Sequence, residues 1–139
     1  MMEENNLQNE VNAFILEKID SVPHLEALLL VWNQRPRPWS VDAIAKALYI
    51  HADIARRILD DLALRGLIAV VQNTPNQYFY ETKSREGDQL MHAVDRTYRR
   101  ELVRISTMIH AKASPALRDF ARAFRFTKDK EKDKQEENN

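Results

Sequence analysis

Two glycines occur in 139 residues, and the place of one of them limits the fold more than any other feature. Gly66 follows Ile54, Ala55, Ile58, Leu59 and Leu62, whose spacing is that of one apolar helix stripe. A glycine just past such a stripe is a helix stop. The residue there turns left-handed, and glycine does so at little cost. Beyond it, Leu67 to Val71 is apolar and β-branched, Asn73-Thr74-Pro75-Asn76 is turn chemistry, and Gln77 to Tyr80 is aromatic. These pieces predict a β-hairpin.

A shorter helix is predicted upstream. Ser40 offers a hydroxyl N-cap, Trp39 and Ile44 flank it as a hydrophobic staple, and Ile44, Ala47 and Leu48 form an apolar face. Tyr49-Ile50-His51 joins the two helices as a turn. Helix, turn, helix, Gly-Leu and hairpin thus run consecutively from Trp39 to Tyr80.

That order resembles a winged helix-turn-helix domain, most closely the MarR-type transcriptional regulators. Ala45, Leu48, Ile50, Ile58, Leu59, Leu62, Arg65, Gly66 and Leu67 carry the resemblance. It implies a mainly α fold with a small β-hairpin wing, flanked by an N-terminal helix and a long C-terminal helix. It also implies a DNA-binding regulator acting as a homodimer. In that family the start of the second helix reads base edges in the major groove, and the matching positions are His51, Ala52, Asp53, Arg56 and Arg57. The family's wing usually carries a basic residue, whereas Asn73 to Gln77 has none. Arg35, Arg37 and Lys83, which flank the motif, are the candidates for phosphate contact in its place.

A second reading stands beside this one. Asp53–Arg57, Arg57–Asp61 and Arg56–Asp60 are i,i+4 pairs that could simply solubilise the helix face. Lys+Arg and Asp+Glu are both 21, so the chain has no overall basic footprint. A neutral motif and an uncharged wing fit a winged helix turned to protein–protein interaction, with little or no DNA binding.

The flanks read as helices. Leu7, Val11, Phe14, Ile15 and Ile19 recur at helical spacing on an acidic first helix. Ser21 caps a second, with Pro23 in its first turn. Its Leu25, Leu28, Leu29, Leu30 and Val31 make it apolar nearly all round, so it is expected at the centre of the core. Arg35-Pro36-Arg37-Pro38 ends it and pushes Arg37 and Trp39 toward a short strand beside the wing. After a polar connector from Thr82 to Asp88, a long helix is predicted from about Gln89 to Ala113. At 1.5 Å per residue it spans roughly 35–40 Å, longer than a small domain is wide, so part of its stripe should need a partner. Ser114-Pro115 opens a last short helix. Dimerisation is therefore assigned to Phe14, Leu90, Val94, Tyr98, Leu102, Ile105, Ile109, Leu117, Phe120 and Phe124. The expected organisation is an N-terminal helix over 1–20, the winged domain over 21–83, C-terminal helices over 84–126 and a disordered tail over 127–139.

No catalytic chemistry is visible. Cysteine is absent, the four histidines show no metal-ligand spacing, and Asp60-Asp61 reads as a solvated face. No Ser/His/Asp arrangement stands out. No enzyme activity, cofactor or metal is expected. No apolar run approaches the ~20 residues of a membrane span, so no membrane partner and a cytoplasmic location are expected.

Overall fold

The computed structural model describes residues 2–112. The predicted last helix with Leu117, Phe120 and Phe124, and the predicted tail, lie outside the described residues. The described elements run α1 (Met2–Lys18), α2 (Val22–Asn33), β1 (Trp39–Ser40), α3 (Val41–Leu48), α4 (Ala52–Leu64), β2 (Ala69–Val70), β3 (Gln77–Phe79), α5 (Arg85–Arg100) and α6 (Leu102–Lys112). The chain is mainly helical, with one small antiparallel sheet in the order β1-β3-β2.

α2 is the centre, as its composition predicts. Ser21 is extended and its hydroxyl accepts from the His24 amide, which starts the helix. Leu25, Ala27, Leu28, Leu29, Val31 and Trp32 are all buried on it. Val11 and Ile15 of α1, with Ile19 just beyond, close one side of this core, and α3 and α4 close another. Polar bonds fix α5 along α2: Tyr98 Oη donates to Glu26 Oε1 at 2.8 Å, Trp32 Nε1 to Asp88 Oδ1 at 3.3 Å, and Asn33 Nδ2 to Asp95 Oδ1 at 3.2 Å.

α3 starts at Ser40, whose hydroxyl accepts from the Ala43 amide. It ends on Tyr49, a left-handed residue at φ 55, and the Ile50 amide closes the turn on the Ala45 carbonyl at 3.0 Å. α4 ends in the same way, but with the residue suited to it. Gly66 sits at φ 74, its amide donates to Ala63 O and that of Leu67 to Leu62 O, both at 3.0 Å. The buried faces are narrower than the sequence suggests. Ala55, Ile58, Leu59 and Leu62 face inward from α4 while Ile54 is half exposed, and Ala45 replaces Ala47 on the inner face of α3.

Strand β1 is the extended segment expected after the Arg-Pro run. It pairs Trp39 with Tyr78 and Ser40 with Gln77, and β2 pairs Ala69 with Phe79 and Val70 with Tyr78. Asn73 and Asn76 take the positive φ values, 62 and 70, that the hairpin loop requires.

The long helix is corrected in two respects. It begins at Arg85, inside the expected polar connector, because Ser84 accepts from the Gly87 amide at 2.9 Å as an N-cap. Ser84 followed by Glu86 and Asp88 is a helix-start signal the connector reading passed over. It also breaks at Glu101 (φ −129, ψ 45), and α6 continues on a new line. Neither proline nor glycine marks that place in the sequence. The two shorter helices each pack against both α1 and α2.

Candidate nucleic-acid interface

α4 presents one face to its surroundings. His51, Ala52, Asp53, Arg56 and Arg57 are all exposed on its first half, as the sequence predicts. His51 is the N-cap residue but makes no side-chain cap bond. The first-turn amides thus lie open at the positive end of the helix dipole.

The hairpin is fixed against this face. Tyr78 Oη donates to Asp60 Oδ1 at 2.5 Å, and Arg56 Nη1 donates to Asn76 Oδ1 at 2.5 Å. The Val41 amide donates to the Asn76 carbonyl at 3.2 Å, so the base of the loop also rests on the start of α3. Burial, then the bond to Asp60 and its negative charge, push the Tyr78 hydroxyl up to about 12, with Arg56 opposing slightly. A neutral phenol is therefore held as a donor throughout the physiological range. Sequence reasoning missed Asn76 and Tyr78 as members of this surface. An aromatic strand residue and a turn asparagine carry no signal of contact with a helix some 20 residues upstream.

The i,i+4 ion pairs of the second reading do not form along α4 among the described residues. Asp60 accepts from Tyr78, and Asp61 takes His24 Nε2 at 3.0 Å. The aspartates thus stay on the solvated side of the helix, as expected, but each also accepts a bond from another element. Arg57 has neither an ion pair nor a hydrogen-bond acceptor among the described residues, which leaves it as an exposed cation on the outer face.

The flanking cations separate. Arg35 bonds Trp32 O at 2.8 Å, lies 3.4 Å from Asp88 and stacks 4.2 Å over the Trp32 ring. Its guanidinium is thus engaged within the fold by Trp32 and Asp88. Arg37 is exposed, bonded to Gln34 at 3.1 Å and 5.7 Å over Trp39, near β1. Lys83 Nζ bonds the Gly66 carbonyl at 3.4 Å, past the far end of α4. Thirteen residues of helix put that end about 18 Å from His51, so Lys83 does not join the cluster at the helix start.

A second polar cluster ties α1, α2 and α4. His24 Nδ1 lies 2.6 Å from Ser21 Oγ and its Nε2 3.0 Å from Asp61. With Asp61 accepting from Nε2–H, Nδ1 accepts from the Ser21 hydroxyl. The array is Ser-His-Asp in composition, but Ser21 Oγ also caps α2 by accepting from the His24 amide at 3.3 Å. Asp20, His24 and Asp61 offer ligand atoms within 4.8 Å of one another. Arg65 already grips both oxygens of Asp20, at 2.9 and 3.1 Å, and Lys112 lies 3.9 Å away. Two cations neutralise Asp20, one of the two carboxylates a metal would need, and His24 holds the other, so the cluster reads as a structural tie. His24 nonetheless has the carboxylate partner that local spacing did not reveal, 37 residues along the chain.

The residues assigned to dimerisation divide too. Val94, Tyr98, Ile105 and Ile109 are buried in the protomer's own core, and Phe14 and Leu90 are half buried against it. They are taken up within one chain, where α5 and α6 both pack against α1 and α2. Leu102 alone of the described set is turned outward, at 50% exposure, beside Val103 at 77%.

Among the described residues no helix is long and apolar enough to cross a membrane. The chain matches no protein-family model, no curated protein and no solved structure. The functional reading therefore rests on the geometry of α4 and the hairpin.

Proposed function

We propose that this protein is a winged helix-turn-helix regulator that binds DNA without catalysis, with α4 as the recognition helix and the β2–β3 hairpin as the wing. One observation carries the reading. The exposed first half of α4, with Arg57 unpaired among the described residues, is held in one surface with the hairpin by the Tyr78–Asp60 and Arg56–Asn76 bonds. A preorganised helix and wing lose little freedom on meeting a duplex. Arg57 is the residue placed to reach a base edge, and Arg37 supplies a flanking phosphate contact. A homodimer formed around the outward Leu102 and Val103 would present two such surfaces to a two-fold site.

A specific observation favours a second reading. Tyr49 is 96% exposed, and Ile54 and Leu64 on α4 are 50% and 86% exposed. Apolar side chains at both ends of a recognition helix suit a protein partner better than phosphate.

Electrophoretic mobility shift against genomic fragments at two salt concentrations separates the two. Binding that weakens with salt and is lost in Arg57→Ala supports the DNA reader. Absence of any shift at low salt, with Tyr49→Ala and Leu64→Ala disturbing a protein complex, supports the interaction module.

A further inference from the structure

A groove of about 620 Å³ lies between α1 and α5 and ends where α5 breaks. Its size is that of a small-molecule site. Arg96 and Arg100 stand on its wall four residues apart, on one side of α5. Neither has an ion pair or a hydrogen-bond acceptor among the described residues. Their neighbours differ: Arg99 pairs with Asp95 at 3.1 Å and Arg104 with Glu101 at 2.8 Å. Glu101, at the end of the groove, is held by Arg104 through both oxygens. Glu101, the carboxylate among the described lining residues, is thus hydrogen-bonded to Arg104, and Arg100 meets its charge only through space. Two like charges at i,i+4 repel, and an anion placed between them removes that repulsion.

The lining narrows the ligand further. Gln8 and Thr97 add hydrogen-bonding groups, and only Leu7, Val11 and Ala93 are apolar. Guanidinium forks suit phosphate oxygens, and a phosphomonoester carries about −1.5 to −2 at neutral pH, matching two arginines.

We infer that this groove binds a small phosphomonoester, with Arg96 and Arg100 clamping the phosphate and Gln8 and Thr97 bonding its polar body. The site is separate from the α4 surface and does not rest on the DNA reading. Phosphate could also come from a nucleic-acid backbone, but its diester carries one charge and a duplex is too wide for a groove between two helices.

Titration calorimetry on the full chain tests it, with AMP and inorganic phosphate as probes, adenosine as the uncharged control and a short DNA duplex as the diester. AMP should bind and adenosine should not. Arg96→Gln should weaken AMP at least tenfold and Arg96→Gln with Arg100→Gln should abolish it, while Arg99→Gln leaves it within twofold. Circular dichroism checks that each variant is folded; should the double variant unfold, Arg100→Gln alone serves in its place. The inference is overturned if neither AMP nor phosphate binds at millimolar concentration, or if adenosine binds as AMP does. It is equally overturned if folded arginine variants bind AMP unchanged, or lose affinity only for the duplex.

Discussion

The Tyr78 hydroxyl donates to the Asp60 carboxylate at 2.5 Å, joining the middle of the hairpin to the outer half of α4. Tyr78 is 4% exposed, so its ring packs in the core while its hydroxyl reaches the surface helix. Hydrogen bonds to charged groups contribute about 1.5–3 kcal/mol. Asp60 is exposed and can be rehydrated, so Tyr78→Phe should lower stability by only about 1–2 kcal/mol in urea denaturation. On the proposed DNA reading it should also weaken binding more than stability alone explains, because the hairpin then keeps, among the described residues, only the Arg56–Asn76 side-chain bond to α4. Unchanged affinity in a folded Tyr78→Phe protein would remove the preorganisation argument.

Alkaline titration gives an independent check. The folded Tyr78 pKa is raised to about 12 from 10.0. A raised pKa means that the stability it contributes is complete below pH 10 and declines as pH rises from 10 toward 12. Tyr80 and Tyr98 are shifted in the same direction, chiefly by burial, so the wild type should lose stability steeply over that window. In Tyr78→Phe the slope should be shallower. Equal slopes in the two proteins, measured by denaturation at several pH values, would contradict the assigned bond.

Tyr49 predicts a gain. It is left-handed at φ 55 and its side chain is exposed, so little packing is lost on removing it. A non-glycine residue in that conformation costs about 1–2 kcal/mol, part of which glycine returns through its looser unfolded chain. Tyr49→Gly should raise stability by about 0.5–1 kcal/mol. A melting temperature that falls instead would show the ring engaged in a contact.

Arg35 and Arg57 should part company. Arg35→Ala removes the stack on Trp32 and the pair with Asp88, and should cost about 1–2 kcal/mol while leaving the salt dependence of the proposed DNA binding unchanged. Arg57→Ala should stay within about 0.5 kcal/mol of wild-type stability. It should lose about 1–3 kcal/mol of affinity for a specific site. The reverse pattern in paired melting and binding measurements would reassign both residues.

Ile105 and Leu102 lie three residues apart and should respond oppositely. Ile105→Ala opens the core and should cost about 2–5 kcal/mol. Leu102→Lys should leave the monomer's stability nearly unchanged and lower its self-association in analytical ultracentrifugation. A concentration-independent monomer in the wild type would dismiss the homodimer.

Local chemistry made much of this molecule legible in the sequence alone. Ser21, Ser40 and Gly66 announce helix ends because a hydroxyl cap and a left-handed stop depend on the residue itself and its near neighbours. The run of leucines in α2 marks the centre because a helix apolar all round has nowhere else to go. His51, Arg56 and Arg57 could be placed on an exposed face for the same reason, since periodicity separates inside from outside. What tertiary structure decided is where the polar groups of that face turn. Asp60 and Asp61 sit at i,i+4 from Arg56 and Arg57, yet they bond Tyr78 and His24, which partly buried surroundings make the better partners. The break at Glu101 follows the same logic. Its sequence would continue a regular stripe through Leu102, but packing both halves against α1 and α2 buries Ile105 and Ile109 and leaves Leu102 outside. Neither outcome is written in spacing along the chain, because each is set by free energy shared between segments far apart in it.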